Sequence, residues 1–308
     1  MINTNKEKIC GFTVSEKRKK VWAAELEMVK VFIGICDKYG FKYFAVSGTL
    51  LGAVRHKGFI PWDDDIDLTM PREDYEKFLS VAQNELPSYM FLQCNKTEKE
   101  YPTGHAQIRN SKTTCLRIGE LERLKKGCNY GIFIDIFPYD GIPDNIKERN
   151  KQAERIKSIR ERCARIIYPF SDSRLKRVIK KFAAICLRVF TPIEKYIEMI
   201  NTLSKKTAVG KTECVGLTSF APGCGSAIWR KEVFDEYVLC DFEDIKIRIP
   251  TLFDEELTVE FGSDYMTLPE NPQESAHGQC YFDTEKPYSE YSKLPLSELR
   301  NICCDCKL

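Results

Sequence analysis

The sequence contains no long hydrophobic run. Its longest uncharged apolar stretches, residues 182–187 and 131–134, are far shorter than the roughly 18 residues that cross a bilayer. The first ten residues are polar and charged, without the apolar centre of a signal peptide. We therefore expect neither a membrane-spanning nor an exported protein, and we expect a cytoplasmic location.

Cysteine motifs that would bind zinc are also scarce. The 14 cysteines among the 308 residues are scattered from Cys10 to Cys306 without a repeating spacing. Cys303 and Cys306 form one Cys-x-x-Cys pair, whereas a zinc site needs about four ligands. We therefore expect reduced thiols that serve mostly as small apolar core residues, and no zinc site in the tail.

Neither sign of charge dominates, since 47 basic residues stand against 45 acidic ones and the net charge is +2. The balance conceals a strongly basic block, because residues 146–190 contain 14 Lys and Arg but only 4 Asp and Glu. Such segregation indicates an anionic partner. Nucleic acid is not expected, because the block lacks interleaved aromatic residues and the rest of the chain is acidic.

The second half of this block places apolar residues on one helical face. Such a helix suits the surface of an anionic membrane. Peripheral contact through residues 146–190 with the inner face of the membrane is one interpretation. The alternative is a helix that packs on the rest of the protein with its basic face in water. The apolar residues are Leu175, Val178, Ile179, Phe182, Ile185, Cys186 and Val189.

Helical and strand patterns alternate along the chain. Apolar residues recur every three to four positions after Ser15, which predicts a helix that ends at Gly40. Alternating isoleucines predict a strand over 130–137. Further predicted strands are 42–46, 66–70, 245–249 and a pair formed by 105–109 with 113–118; further predicted helices are 49–54, 72–85 and 251–261.

This order predicts an α+β fold in which helices flank a mixed sheet. A chain of this length buries one substantial core or two modest ones. We predict a catalytic core over 1–145, a basic helical insertion over 146–210, and a C-terminal α+β portion over 211–308 that completes the cleft.

Four carboxylates stand within five positions, at Asp63, Asp64, Asp65 and Asp67. If a strand begins here, Asp65 and Asp67 share a face about 7 Å apart, an arrangement of oxygen ligands that suits Mg²⁺. Asp135, alone within an apolar strand, is the candidate third acid, because an unpaired carboxylate is costly to bury there. The alternative is a solvated loop with capping or salt-bridge roles, with Asp135 bonded to a backbone amide.

A glycine and threonine turn precedes this cluster. Gly48 permits close approach of the backbone, Thr49 offers a hydroxyl, and a short helix that begins here offers free N–H groups to a phosphate. Arg55, His56 and Lys57 add positive charge. We predict phosphate contact for Arg55 above all, while a solvated charge run would account equally well for Arg55 and Lys57 alone.

This segment resembles the signature of the LicD family. The resemblance lies in Gly48-Thr49-Leu50-Leu51-Gly52-Ala53-Val54-Arg55-His56 followed by Pro61-Trp62-Asp63-Asp64-Asp65-Ile66-Asp67. LicD proteins are phosphocholine transferases, similar to the fukutin-related phosphoribitol transferases of the nucleotidyltransferase superfamily. That superfamily has a Gly-Ser or Gly-Thr turn, an acid-x-acid strand and a third acid on a neighbouring strand, matched here by Gly48-Thr49, Asp65-Ile66-Asp67 and Asp135. The resemblance continues through 130–143, 261–266 and 269–277.

The resemblance implies a nucleotidyltransferase-like mixed sheet and transfer of a phospho-alcohol. A CDP-linked donor such as CDP-choline would give its phospho-alcohol to a hydroxyl of a glycan or lipid-linked glycan precursor and release CMP. Two Mg²⁺ ions, or Mn²⁺, would be held by Asp65, Asp67 and Asp135, and Asp135 would accept the proton of the hydroxyl. Arg55 and Arg109 would contact the leaving CMP, and a plain surface cation is the alternative for Arg109. Trp62, Phe137 and Tyr139 would contact a choline headgroup, and a packing role is the alternative for each. His277 is a further implied contact, for which a core or helix-end histidine is the alternative.

Three other functions fit the same residues. A nucleotidyltransferase would move the nucleotide itself and release pyrophosphate. A metal-dependent glycosyltransferase would use Asp65 and Asp67 as an Asp-x-Asp pair but would require neither Asp135 nor the Gly48-Thr49 turn. A membrane or glycan-binding module with a degenerate site is the non-enzymatic alternative, and the complete set of three acids argues against it.

Overall fold

The protein is described by a computed structural model. The structure describes residues 2–167, 191–219, 228–270, 272 and 280–304, with isolated positions between 178 and 187. The fold is α+β, as predicted. Its helices are α1 (Glu16–Tyr39), α2 (Ser47–His56), α3 (Arg72–Glu85), α4 (Leu121–Leu124), α5 (Ile146–Ile167), α6 (Ile193–Ser204), α7 (Phe253–Phe261), α8 (Tyr288–Tyr291) and α9 (Leu296–Cys304). Its strands are β1 (Glu7–Ile9), β2 (Phe12–Val14), β3 (Phe44–Ala45), β4 (Asp67–Pro71), β5 (Met90–Gln93), β6 (Ala106–Asn110), β7 (Thr114–Arg117), β8 (Ile132–Ile142), β9 (Cys214–Gly216), β10 (Ile228–Arg230), β11 (Tyr237–Phe242), β12 (Ile245–Pro250) and β13 (Cys280–Asp283).

A seven-stranded mixed sheet organises the molecule. Strand β8 lies at its centre, parallel to β4 and antiparallel to β6 and β9. Ile132, Ile134 and Ile136 of β8 are fully buried on one face, as the alternation predicts. The opposite face is therefore the one on which polar residues of β8 can reach a cleft.

Helix α1 covers the buried face of the sheet. The Ser15 hydroxyl caps its first turn by accepting a hydrogen bond from the Arg18 amide at 3.0 Å, and Gly40 ends it with φ of 71°. Trp22 is buried on this helix and stacks on Phe59 with the ring centroids 4.6 Å apart. Its indole N–H donates to the Asp63 carbonyl at 3.0 Å, which ties the acidic segment to the core.

The predicted pairing of 105–109 with 113–118 is wrong. Strand β6 pairs with β5 on one edge and with β8 on the other. All five of its residues are buried, and both of its edges lie inside the sheet. No edge of β6 is therefore left to pair with residues 113–118. Strand β7 instead pairs with β13, which comes more than 160 residues later in the chain.

The described parts of the basic block are helical. Helix α5 packs its apolar face, including Ile156, Ile159 and Cys163, against α6. Its basic residues Lys151, Arg155 and Arg162 are exposed. Most of the predicted apolar face over 175–189 lies outside the described residues. Among the helices that are described, none is both long and apolar enough to cross a membrane.

The residues after the basic block form further strands and helices of the fold. Strand β9 joins the main sheet beside β8, and β11 and β12 form an antiparallel hairpin. Helix α7 ends at Gly262, as predicted. Every cysteine that the structure describes is a free thiol.

Candidate active site

Two of the predicted acids lie opposite each other in the main sheet. Asp67, the first residue of β4, is in register with Asp135 of β8. The hydroxyl of Thr49 accepts a hydrogen bond from the Asp67 amide at 2.8 Å, and the Asp67 carbonyl accepts one from the Val46 amide at 3.2 Å. These bonds fix the start of β4 against the turn that precedes α2.

The turn before β4 brings three more carboxylates together. Asp63, Asp64 and Asp65 each place a carboxylate oxygen within 4.8 Å of the others. Gly48 lies against this turn, since a Cβ at that position would come within 2.7 Å of the Asp63 Oδ2 atom. The glycine therefore lets the start of α2 approach the acidic turn without displacing the Asp63 carboxylate. Among the described residues this is the tightest group of acids, and it shares Asp65 with the predicted set.

The pKa values of Asp67 and Asp135 are shifted in opposite directions. Burial and then repulsion from Asp65 and Asp135 raise the pKa of Asp67 well above its ordinary value. Burial would also raise the pKa of Asp135, but hydrogen bonds from His105 and Gln107 outweigh it and leave that pKa below its ordinary value. The protein therefore favours the ionised form of Asp135 and disfavours the ionised form of Asp67.

A further acid lies beneath the cluster on α1. Glu25 is almost fully buried, and among the described residues its Oε2 atom has no hydrogen-bond partner. Burial and then repulsion from Asp65, Asp64, Asp63 and Asp135 raise the pKa of Glu25. A set of carboxylate oxygens with one unpaired buried oxygen beside it fits a hard divalent cation such as Mg²⁺.

A cavity of about 1000 Å³ opens over these acids. Asp65, Asp67 and Asp135 line it, and so do five of the predicted substrate residues: Gly48, Arg55, Trp62, Arg109 and Phe137. The cavity is large enough for a nucleotide-sized ligand, since small-molecule sites typically measure about 300–1,000 Å³. The structure therefore brings the predicted acids and part of the predicted substrate contacts to one cleft.

Arg55 and Trp62 form one end of the cleft. The Arg55 guanidinium lies 5.9 Å from the centroid of the Trp62 ring. Its Nη1 atom donates to the Tyr265 carbonyl at 2.7 Å and its Nε atom to the His56 Nε2 atom at 2.9 Å. Arg55 thereby joins α2 to the segment after α7, while it still faces the cavity.

Other predicted substrate residues have different positions. Thr49 and His56 do not line the cavity: the Thr49 hydroxyl is used by the Asp67 amide, and His56 accepts from Arg55. Lys57 ends α2 and points its ammonium toward Cys240, 3.8 Å from that sulfur. Tyr139 is buried against Phe234 in a separate apolar cluster.

His277 lies outside the described residues. Phe137 does line the cavity, where its ring packs against His105 with the centroids 4.4 Å apart. Of the predicted aromatic contacts for a headgroup, Trp62 and Phe137 are thus the two at the cleft.

Helix α7 contributes two acids that the sequence reading missed. Ser47 has an unusual φ of 53°, and its amide donates to the Glu256 Oε1 atom at 3.2 Å. The Ser47 hydroxyl donates to the Glu260 Oε2 atom at 3.1 Å, and Glu260 lines the cavity. Burial raises the pKa of Glu260 to about 7. No local sequence signal marks this contact, because the partners are 209 and 213 residues apart.

Strand β6 contributes the other missed residues. His105 Nε2 lies 3.0 Å from the Asp135 Oδ1 atom, and the Gln107 side-chain amide donates to the same oxygen at 2.7 Å. Arg109, predicted to contact CMP, is bonded within the protein to Gln93, Gln107 and the Gly131 carbonyl. This geometry favours a positioning role for Arg109. The alternation of polar residues at 105, 107 and 109 is the sequence pattern that could have indicated His105 and Gln107.

Comparison with known proteins agrees with this arrangement. Residues 40–175 match the family described as LicD/FKTN/FKRP, nucleotidyltransferase domain, which confirms the predicted resemblance to the LicD family. The chain is 29% identical over 258 residues to the lipopolysaccharide cholinephosphotransferase LicD of Haemophilus influenzae, covering 82% of this chain and 92% of that protein. It is 42% identical over 48 residues to the human ribitol 5-phosphate transferase FKRP, covering 16% of this chain and 10% of FKRP.

Proposed function

We propose that this protein is a transferase that moves a phospho-alcohol, phosphocholine in the first instance, from a CDP-linked donor to a hydroxyl of a cell-surface glycan precursor, with release of CMP. The observation that carries the proposal is the Asp67 and Asp135 pair, in register beside the Asp63–Asp65 turn at one side of the cavity. The names of the relatives support a phospho-alcohol and a glycan or lipopolysaccharide acceptor.

Mg²⁺ is the proposed cofactor, as two ions, with Mn²⁺ as a substitute. Asp65, Asp67 and Asp135 would hold them, with Asp63 and Asp64 close to Asp65. When bound, divalent ions neutralise the donor diphosphate and polarise the attacked phosphorus. The concentration of carboxylates supports this proposal, because a bound cation would offset their mutual repulsion.

The chain itself supplies orientation and a proton acceptor. Asp135 was predicted to take the proton of the acceptor hydroxyl, but its lowered pKa suits a carboxylate that binds cations. Glu260 lines the same cavity and has a pKa of about 7, which is better matched to proton transfer near neutral pH. We therefore assign to Glu260 the role of accepting the proton of the acceptor hydroxyl. The Gly48 turn and Arg55 would bind the donor diphosphate.

The test is incubation of the purified protein with Mg²⁺ and separate donors: CDP-choline, CDP-glycerol, CDP-ribitol, nucleoside triphosphates and nucleotide sugars. We expect slow hydrolysis of one CDP-alcohol to CMP without added acceptor. Release of pyrophosphate from a triphosphate would instead establish nucleotide transfer, the function that the family description favours as the alternative. Turnover of nucleotide sugars alone would establish a glycosyltransferase.

The acceptor is the less defined half of the reaction. A lipid-linked glycan precursor on an anionic membrane surface is the acceptor that the basic block suits, since exposed Lys151, Arg155 and Arg162 lie on α5 while its apolar face is already covered by α6. Contact through α5 would therefore be electrostatic and would not require insertion of this helix.

A further inference from the structure

A row of polar side chains on β6 reaches toward Asp135. Because side chains alternate along a strand, His105, Gln107 and Arg109 share one face while Ala106 and Ile108 are fully buried on the other. Gln107 is directly opposite Asp135 in the antiparallel pair of β6 and β8. The cleft side of the sheet thus carries a continuous polar row next to an acid of the site.

The Gln107 amide has one orientation that its neighbours allow. Its Oε1 atom accepts from the Arg109 Nη2 atom at 2.6 Å, and its Nε2 atom donates to the Asp135 Oδ1 atom at 2.7 Å. A guanidinium has no acceptor, so Arg109 can only face the amide oxygen. The amide nitrogen then points at Asp135, whose carboxylate accepts its hydrogen bond.

Arg109 is itself fixed on every side. Its Nε atom donates to the Gln93 Oε1 atom and its Nη1 atom to the Gly131 carbonyl at 2.7 Å. The guanidinium lies 4.7 Å from the centroid of the Phe133 ring, and the residue is buried. A planar group with three nitrogens bonded in this way cannot turn toward a ligand without breaking several buried bonds.

We propose that Gln107 and Arg109 are positioning residues for Asp135, with Arg109 acting through Gln107. Together with His105 they hold the Asp135 Oδ1 atom toward β6 and so prevent the carboxylate from rotating in the cleft. The inference rests on the proposed function in one respect, the assignment of Asp135 to the cation site. Arg109 then contributes to cation affinity without touching cation or substrate.

The experiment measures Mn²⁺ affinity by electron paramagnetic resonance, without substrates, for the full chain and its Gln107→Met and Arg109→Lys variants. We expect each substitution to weaken Mn²⁺ binding about 10- to 100-fold, the usual effect of losing a residue that orients a metal ligand. The double variant should bind Mn²⁺ no more weakly than the single variant with the lower affinity, because Arg109 acts through Gln107.

Arg72→Lys is the matched control, since Arg72 is also a buried arginine beside β8, bonded to both oxygens of Asp140 at 2.7 Å. It should lower the thermal midpoint and leave Mn²⁺ affinity unchanged. Unchanged affinity in Gln107→Met, or additive losses in the double variant, would overturn the inference. If Arg109→Lys does not fold, Gln107→Met still decides, because His105 continues to bond Asp135. A wild-type protein that binds no Mn²⁺ would overturn the proposed cofactor itself.

Discussion

Asp67 and Asp135 are in register across the parallel strands β4 and β8, and the protein treats the two carboxyl groups in opposite ways. Asp135 receives hydrogen bonds from His105 and Gln107, and its pKa is lowered. Burial and neighbouring acids raise the pKa of Asp67. In the absence of a cation, Asp67 is therefore the acid that costs the fold stability.

Asp67→Asn is expected to abolish CMP release and to leave the thermal midpoint in metal-free buffer unchanged or higher. The amide removes a buried charge from among its repelling neighbours. Asp65→Asn should behave in the same way. Product analysis and differential scanning fluorimetry check both expectations, and wild-type turnover in either variant would defeat the assignment of these acids to the cation site.

Asp140→Asn provides the contrasting case in the same strand. Asp140 is buried, with Arg72 on both oxygens and the Thr218 hydroxyl on one of them at 2.9 Å. Breaking a buried ion pair typically costs about 3–5 kcal/mol. We expect a loss of that order in the free energy of unfolding, measured by urea denaturation. A stability equal to that of Asp67→Asn would show that the two acids are not distinguished as described.

Gly48→Ala should lower activity about 100-fold with little change in stability. The added Cβ would come within 2.7 Å of the Asp63 Oδ2 atom and push that carboxylate out of place, and small displacements at a reacting centre cost about that factor. Gly34→Ala is the control, because a Cβ on that helical glycine meets nothing within 4 Å. It should keep full activity and gain about 0.5–1 kcal/mol of stability.

Glu260→Gln should change how stability depends on pH. The folded protein holds the pKa of Glu260 at about 7, above its ordinary value of 4.5, chiefly through burial. The wild type therefore loses stability as pH rises from 4.5 to 7, where the unfolded chain has already released this proton. Both proteins are measured in EDTA, and the thermal midpoint of the variant minus that of the wild type should be larger at pH 8 than at pH 4.5. A constant difference would show that Glu260 has an ordinary pKa.

Charge reversal on α5 tests the membrane proposal. A variant with Lys151→Glu, Arg155→Glu and Arg162→Glu should lose sedimentation with vesicles that contain anionic lipid, since each basic residue near such a surface contributes about 1 kcal/mol. Neither protein should sediment with neutral vesicles. Lys112→Glu, an exposed charge outside the block, is the control. If sedimentation of the wild type does not depend on lipid charge, the proposed contact with an anionic membrane is wrong.

Local patterns account for much of what the sequence predicted correctly. Helix α1, from the Ser15 cap to Gly40, and the buried isoleucines of β8 follow from periodicity and capping. Asp135 was predicted to join Asp67 because it stands alone in an apolar strand, and the family resemblance gave the same pairing. The pairing of β7 with β13 could not be predicted, because register between distant strands is set by tertiary packing.

The strained Ser47 turn has a consequence for how the chain matures. Its two acidic partners are supplied by α7, more than 200 residues later, so this contact is of very high sequence separation. During synthesis the start of α2 emerges long before Glu256 and Glu260, so a nascent chain lacks the two acids that bond to the Ser47 amide and hydroxyl. Catalytic competence should therefore arise late in translation, and protein lacking α7 should fold its sheet yet remain inactive.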